Sequence, residues 1–220
     1  VARQHHTALR PLFAPHIAAD AVVIDVGAHA GQFSKLFARM APAGRVYAFE
    51  PSAYARSVMA PAVAFNRLRN ITLIPLGLGE RAARHVLHTP LKRSHSLGFG
   101  TAHLGSDAGP AVDQVVDVTT LDAFAESHAL TRLDFIKADI EGWELRALQG
   151  GRATLRRFSP ALYLEVDETL MRRAGDTPKG LFDWLGAMGY RAFTTPDLRP
   201  ARAFRGAGDY LFVAERKHLT

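Results

Sequence analysis

The 220-residue sequence predicts an α/β fold in which a mostly parallel sheet carries helices on both faces. Three observations carry that expectation. Apolar β-branched runs alternate with segments of helical period, and the strand-to-helix units that follow one another between Val22 and Gly79 call for parallel strands joined by right-handed crossovers. The runs end in acids, at Asp25, Glu50, Asp139 and Glu165, which puts carboxylates at the strand tips where open α/β sheets bind ligands. Two of those tips, at Gly27 and Gly142, pass through a glycine into a helix-like segment.

Leu9, Leu12, Phe13 and Ile17 recur at helical spacing, which predicts a helix over residues 1–20, interrupted at Pro11 and Pro15, that caps the domain and covers a pocket. Val22–Val26 reads as a buried strand. In the turn that follows, Gly27 and Gly31 lack Cβ atoms, so a flat polar ligand can approach the backbone, with the N–H groups of a helix start behind it. The G-x-x-x-G spacing departs from the G-x-G-x-x-G dinucleotide fingerprint, so a nucleotide-like cofactor and a plain packing corner both fit it. Phe33, Leu36, Phe37 and Met40 make one apolar helix face, ended by Pro42 and Gly44. Arg45–Phe49 is the second strand. Glu50, just past its tip, suits a ribose diol, whose two hydroxyls a carboxylate can accept together; it also suits a helix start with Pro51 in the first turn.

A helix over Tyr54–Leu68 and a strand over Asn70–Leu76 lead to Gly77-Leu78-Gly79-Glu80, and His85–His88 reads as a short extended segment. Thr89–Ala111 is rich in Gly, Ser, His and Pro and has no period, so it is either a substrate loop or a plain connection. Ser94, His95 and Ser96 are its candidate substrate contacts. Val112–Val118 is the next strand, and Thr120-Leu121-Asp122 opens a helix through His128. Leu133–Glu144 repeats the pattern of the first site. Asp139 and Glu141 share a face of an extended tip, and Glu144 stands on the following helix turn. Carboxylates so grouped repel one another unless a cation, a donor or a shared proton relieves them, which argues for a function. Pro160–Val166 ends in Glu165, Asp167 and Glu168; Leu181, Trp184, Leu185 and Met188 form another helix face. Tyr190–Thr194 and Asp209–Ala214 are closing strands, the latter expected as an antiparallel edge.

A hydrophobic content of 48% supports one full core, so residues 1–220 are expected to form a single domain. With no cysteine, disulfides, thiolate metal sites and a cysteine nucleophile are excluded. No run has the length of a membrane span and the first ten residues lack the apolar core of a signal peptide, from which a soluble, cytoplasmic protein is expected. The net charge of +6 admits nucleic acid, but the arginines are scattered and no stripe with interleaved aromatics forms, so that partner is not favoured.

Val-Ile-Asp-Val-Gly-Ala-x-x-Gly at 23–31, Glu-Pro at 50–51, Thr-Leu-Asp at 120–122 and Lys-Ala-Asp-Ile-Glu-Gly-x-Glu at 137–144 together resemble the FkbM family of S-adenosylmethionine-dependent methyltransferases. The last motif is the specific one, and the resemblance spans about Ala21 to Ala214. It implies a Rossmann-like class I methyltransferase fold with a seven-stranded sheet. It also implies methyl transfer from S-adenosylmethionine, leaving S-adenosylhomocysteine, to a hydroxyl of a small metabolite, sugar or glycolipid. On that resemblance Asp25, Gly27 and Gly31 meet the methionine part of the cofactor and Glu50 the ribose, with Pro51, Gly77, Leu78 and Asp139 beside them. His29 stands where such families commonly carry Asn or another small polar residue, so its imidazole meets cofactor, substrate or solvent.

The sulfonium donor is already activated, so the protein mainly aligns acceptor oxygen, methyl carbon and sulfur. There is no cysteine for a covalent cytosine-type mechanism, and the residues after Asp139 do not form the Pro-Pro-aromatic platform of amino-group methyltransferases of nucleic acid. Oxygen is the expected acceptor. Asp139, Glu141 and Glu165 are the expected catalytic group, with Asp139 or Glu141 taking the hydroxyl proton; a Mg²⁺ ion held by the same acids is the less favoured arrangement. The alternative is a catalytically inactive cofactor-binding or RNA-associated module on the same fold. A nicotinamide dehydrogenase has the wrong glycine spacing.

Overall fold

The computed structural model describes residues 5–90, 103–104 and 111–215. The first strands, β1 (Val22–Val26), β2 (Arg45–Phe49) and β3 (Ile71–Ile74), alternate with α2 (Gln32–Met40) and α3 (Ala53–Phe65), after a single turn of helix α1 (Arg10–Phe13). A small sheet follows, made of β4 (Gly77–Leu78), β5 (Ala83–Pro90), β6 (His103–Leu104) and β7 (Ala111–Thr119). The chain then returns through α4 (Leu121–Ser127), β8 (Phe135–Ala138), α5 (Glu144–Gln149), α6 (Arg152–Phe158), β9 (Ala161–Val166), α7 (Glu168–Arg173) and α8 (Pro178–Ala187). It closes with β10 (Tyr190–Thr194), β11 (Pro200–Ala201) and β12 (Gly208–Ala214).

The main sheet has the order β11-β10-β12-β9-β8-β1-β2-β3. Strands β9, β8, β1, β2 and β3 pair in parallel, which aligns the tips carrying Glu165, Asp139 and Glu50 along one edge. Strand β1 is apolar almost throughout because both of its faces are covered: Val23 packs with Leu12, Phe13 and Phe37 of α1 and α2, whereas Ile24 packs with Leu121 of α4 and Leu148 of α5. Among the described residues no helix is long and apolar enough to cross a membrane.

Four expectations are corrected. The sheet has eight strands, and β12 is antiparallel but interior, between β9 and β10; the short β11 is the antiparallel edge. The reason is in β12 itself, where Tyr210, Leu211 and Phe212 are successive and all at most 3% exposed, which an edge strand would not sustain. Instead of one N-terminal helix there is a 3₁₀ turn, Thr7–Leu9, followed by α1, with Pro11 in its first turn where the missing N–H has no partner to lose. Strands take in part of the stretch 89–111 expected as a loop, since Thr89 and Pro90 end β5, His103–Leu104 forms β6 and Ala111 begins β7. Ser94, His95 and Ser96 lie outside the described residues.

The Thr-Leu-Asp stretch has a structural role. Thr120 Oγ1 accepts from Ala123 N and caps α4. Helix α6 starts at Gly151, which brings no capping side chain, and Asp122 supplies one from a distance by accepting from Ala153 N and from both N and Oγ1 of Thr154.

Candidate active site

A cavity of about 270 Å³ opens at the carboxyl ends of β1, β2 and β8, with Leu78 and Leu87 of the small sheet forming its far side. Gly27 lies in the left-handed region at φ 72°, and a Cβ there would come within 2.1 Å of the Asp139 carbonyl oxygen, so the turn after β1 rests directly on the turn after β8. His29 also has positive φ, 50°, a conformation that costs a non-glycine residue about 1–2 kcal/mol. Its backbone N–H donates to Glu50 Oε2 at 2.7 Å, which ties the first turn to the second strand tip.

Glu50 is 7% exposed, and its other oxygen, Oε1, accepts from Ser52 N at 2.8 Å. Burial raises its carboxyl above the usual value, and the N–H groups of Ser52 and His29 work against that rise. Each carboxylate oxygen keeps a further acceptor site. Pro51, Gly77 and Leu78 line the cavity beside it, as do His29 and Asp139. Asp25 and Gly31 do not. Asp25 is turned into the core, where Oδ2 accepts from Ser34 Oγ at 2.5 Å, and Gly31 starts α2 at φ 77° with Met59 Cγ at 2.9 Å from where a Cβ would stand.

The three expected catalytic acids are brought together. Asp139 and Glu141 line the cavity; Glu165 does not, but it is hydrogen-bonded to Asp139. Burial, then the Asp139 charge, pushes the Glu141 carboxyl up to about 7, with Arg173 opposing. Burial, then the charge and hydrogen bond of Asp139, pushes Glu165 up to about 8. Glu144 stands behind them, 1% exposed, with Oε1 accepting from Ile140 N and Gly142 N at 2.9 and 3.4 Å; burial raises it to about 7. Among the described residues no group of three or more His, Asp or Glu is arranged to hold a metal ion.

Sequence reasoning missed Lys137, His6, Phe33, Leu87 and Trp143, which all line the cavity. Lys137 Nζ lies 3.6 Å from Asp25 Oδ1 and 3.5 Å from Asp139 Oδ2, and it donates to the Gly27 carbonyl at 3.2 Å. Burial works against its charge, but Asp25 and Asp139 outweigh burial and hold its pKa above the usual lysine value. The signal was a lone lysine inside the otherwise apolar Phe135-Ile136-Lys137-Ala138. His6 stacks on Phe33 with ring centres 4.2 Å apart, a contact between distant segments that no local pattern announces.

A family model described as "Methyltransferase FkbM domain" matches residues 25–192. Among solved structures the chain is similar to a methyltransferase FkbM from Methylobacillus flagellatus KT, with TM-score 0.56 and 20% identity over 89% of this chain and 44% of that one. An rRNA methylase from Streptococcus thermophilus gives TM-score 0.55 and 11% identity over 98% of both chains. SMU.1697c from Streptococcus mutans, in complex with SAH, gives 0.53 and 8% over 96% of this chain and 97% of that one. At these identities the likeness shows the fold alone, a Rossmann-like methyltransferase fold; the chain spans 44% of the length of the Methylobacillus protein. No curated protein matches the chain at a significant level.

Proposed function

Because the chain belongs to the FkbM methyltransferase family, we propose that it is an S-adenosylmethionine-dependent O-methyltransferase. Its acceptor is a hydroxyl group of a small metabolite, sugar or glycolipid, and S-adenosylhomocysteine is the product. The observation that carries this reading is the convergence of Gly27, Glu50, Asp139 and Glu141, from three strand ends, on one cavity.

The residues present suit the cofactor. Glu50 is fixed by two backbone N–H groups and retains acceptor sites for a ribose diol. Phe49, Leu78, Leu87 and Trp143 offer an apolar wall for a flat base. Bound S-adenosylmethionine supplies a methyl group already activated on a sulfonium.

The remaining work falls to the chain's own acids. Glu141, raised to about 7, is matched to taking a hydroxyl proton near neutral pH. Asp139 lies beside it and is held by Lys137, so it can accept a hydrogen bond from the acceptor and orient it. Glu165 stands behind Asp139 and fixes its carboxylate.

Calorimetric titration with S-adenosylmethionine and S-adenosylhomocysteine tests the cofactor. Incubation with methyl-labelled S-adenosylmethionine and cell extract, read by mass spectrometry, tests the acceptor. Label on a small hydroxyl compound is the expected result; absence of binding, or label carried only by RNA or on nitrogen, overturns the reading.

A further inference from the structure

The acids around the ends of β8 and β9 carry more negative charge than their neighbours cancel. Asp139 and Glu141 face the cavity and Glu165 is hydrogen-bonded to Asp139. The Glu144 carboxylate, 1% exposed, has an Oε2 without a hydrogen-bond partner and is coupled by charge to both Asp139 and Glu165. Asp167, at the start of α7, acts on Glu141, and Asp209, on β12, interacts with Asp139. Three groups stand on the other side. Lys137 is shared between Asp25 and Asp139, Arg173 acts on Glu141, and His6 is driven toward its neutral form by burial, His5 and Lys137. Burial and mutual repulsion therefore leave Glu141 and Glu165 holding protons near neutral pH.

A sulfonium donor differs from its demethylated product by one methyl group and one positive charge on sulfur. We propose that the carboxylates of Asp139, Glu141 and Glu165 are the residues that distinguish the cationic methyl donor from its neutral-sulfur product. The inference rests on the cofactor reading above. A positive charge in the cavity favours the ionised forms of Glu141 and Glu165, so donor binding expels protons that product binding leaves in place. Glu141 is thereby ionised when an acceptor arrives, and the acceptor's hydroxyl proton replaces the one expelled.

The test is calorimetric titration of the whole protein with S-adenosylmethionine and with S-adenosylhomocysteine at pH 7, in phosphate and in Tris, whose ionisation enthalpies differ. S-adenosylmethionine should release about 0.5 proton or more beyond S-adenosylhomocysteine, and its relative affinity should rise roughly 3- to 10-fold from pH 6 to pH 8 before levelling. Glu165→Gln and Glu141→Gln should each flatten that rise; the wild-type comparison is decisive even if one variant fails to fold. Equal proton release and a pH-independent affinity ratio would overturn this inference and leave the cofactor reading standing. If neither compound bound, both would fall.

Discussion

Lys137 Nζ stands 3.6 Å from Asp25 Oδ1, with the two side chains 4% and 0% exposed, so the acid inside β1 is neutralised by a lysine on β8. Asp25 therefore serves the cavity at one remove, through the cation that also holds Asp139. Removing one partner of a buried pair leaves the other charge uncompensated. Lys137→Met should lower stability by about 3–5 kcal/mol in urea unfolding. Adding Asp25→Asn should recover part of the loss; two independent, additive effects would show that the pair is not coupled.

Gly27→Ala meets two obstacles at once, a φ of 72° and the Asp139 carbonyl 2.1 Å from the new Cβ. It should cost about 2 kcal/mol or more and shift Asp139 with it. Thermal unfolding measures the first effect. Weakened S-adenosylmethionine binding in the variant that remains folded measures the second.

Glu50→Ala removes a carboxylate whose two oxygens are already oriented by His29 and Ser52. Binding of S-adenosylmethionine and S-adenosylhomocysteine should weaken alike, by about 1–3 kcal/mol, because the ribose is common to both. Calorimetry checks it, and unchanged affinity would remove Glu50 from the site.

Asp139→Asn and Glu141→Gln keep shape and remove charge. Each should slow methyl transfer by about 10²- to 10⁴-fold. For Glu141→Gln, cofactor affinity at pH 6, below the value of about 7 to which burial raises the Glu141 carboxyl, should stay nearly intact. Single-turnover rates with labelled donor make the comparison, and near-normal rates in both variants would exclude these acids from the chemistry.

Glu144 gives a pH signature of its own. Its folded carboxyl is raised to about 7 from an ordinary 4.5, so the folded protein binds the proton more tightly than the unfolded chain. Its contribution is fully present below pH 4.5 and is lost as pH rises through about 7. Glu144→Gln keeps an oxygen for Ile140 N and Gly142 N while losing the charge, so it should be neutral or stabilising at pH 8, by about 3 kcal/mol at most. A urea series from pH 4.5 to 8 reads the slope, which should be shallower in the variant, the raised Glu141 and Glu165 keeping the remainder.

Local pattern decided much of the fold. Arg45–Phe49 has the bounds its pattern predicts, and Phe33, Leu36, Phe37 and Met40 fall on one helix, α2, as their spacing predicts, because each element packs one continuous surface against its neighbour. The place of β12 was not legible, since an antiparallel strand reads the same at an edge as in the middle, and only pairing with β9 and β10 decides. Strand β5 was seen only at His85–His88, because it is half-solvated: Arg84 and His88 face outward to Asp117 and Asp113 across the pair. In the site, acids at strand tips were visible as residue types. Which of them reach the cavity was not, because that depends on how Ser34 and Lys137 turn Asp25 inward and how Met59 crowds Gly31.

Asp122 also sets the limits of modularity in this chain. It leaves the small sheet only a few residues after β7, yet its carboxylate is the missing start of α6, beyond β8. The segment inserted between β3 and β8 is thus not a cassette that can be cut out through α4 without unpinning the far half of the molecule. The exchangeable unit closes before Thr120, where Gly79 N donates to the Thr119 carbonyl and brings entry and exit side by side. Chimeras joined at Gly79 and Thr119 change the roof over the cavity and leave the joinery of the floor untouched.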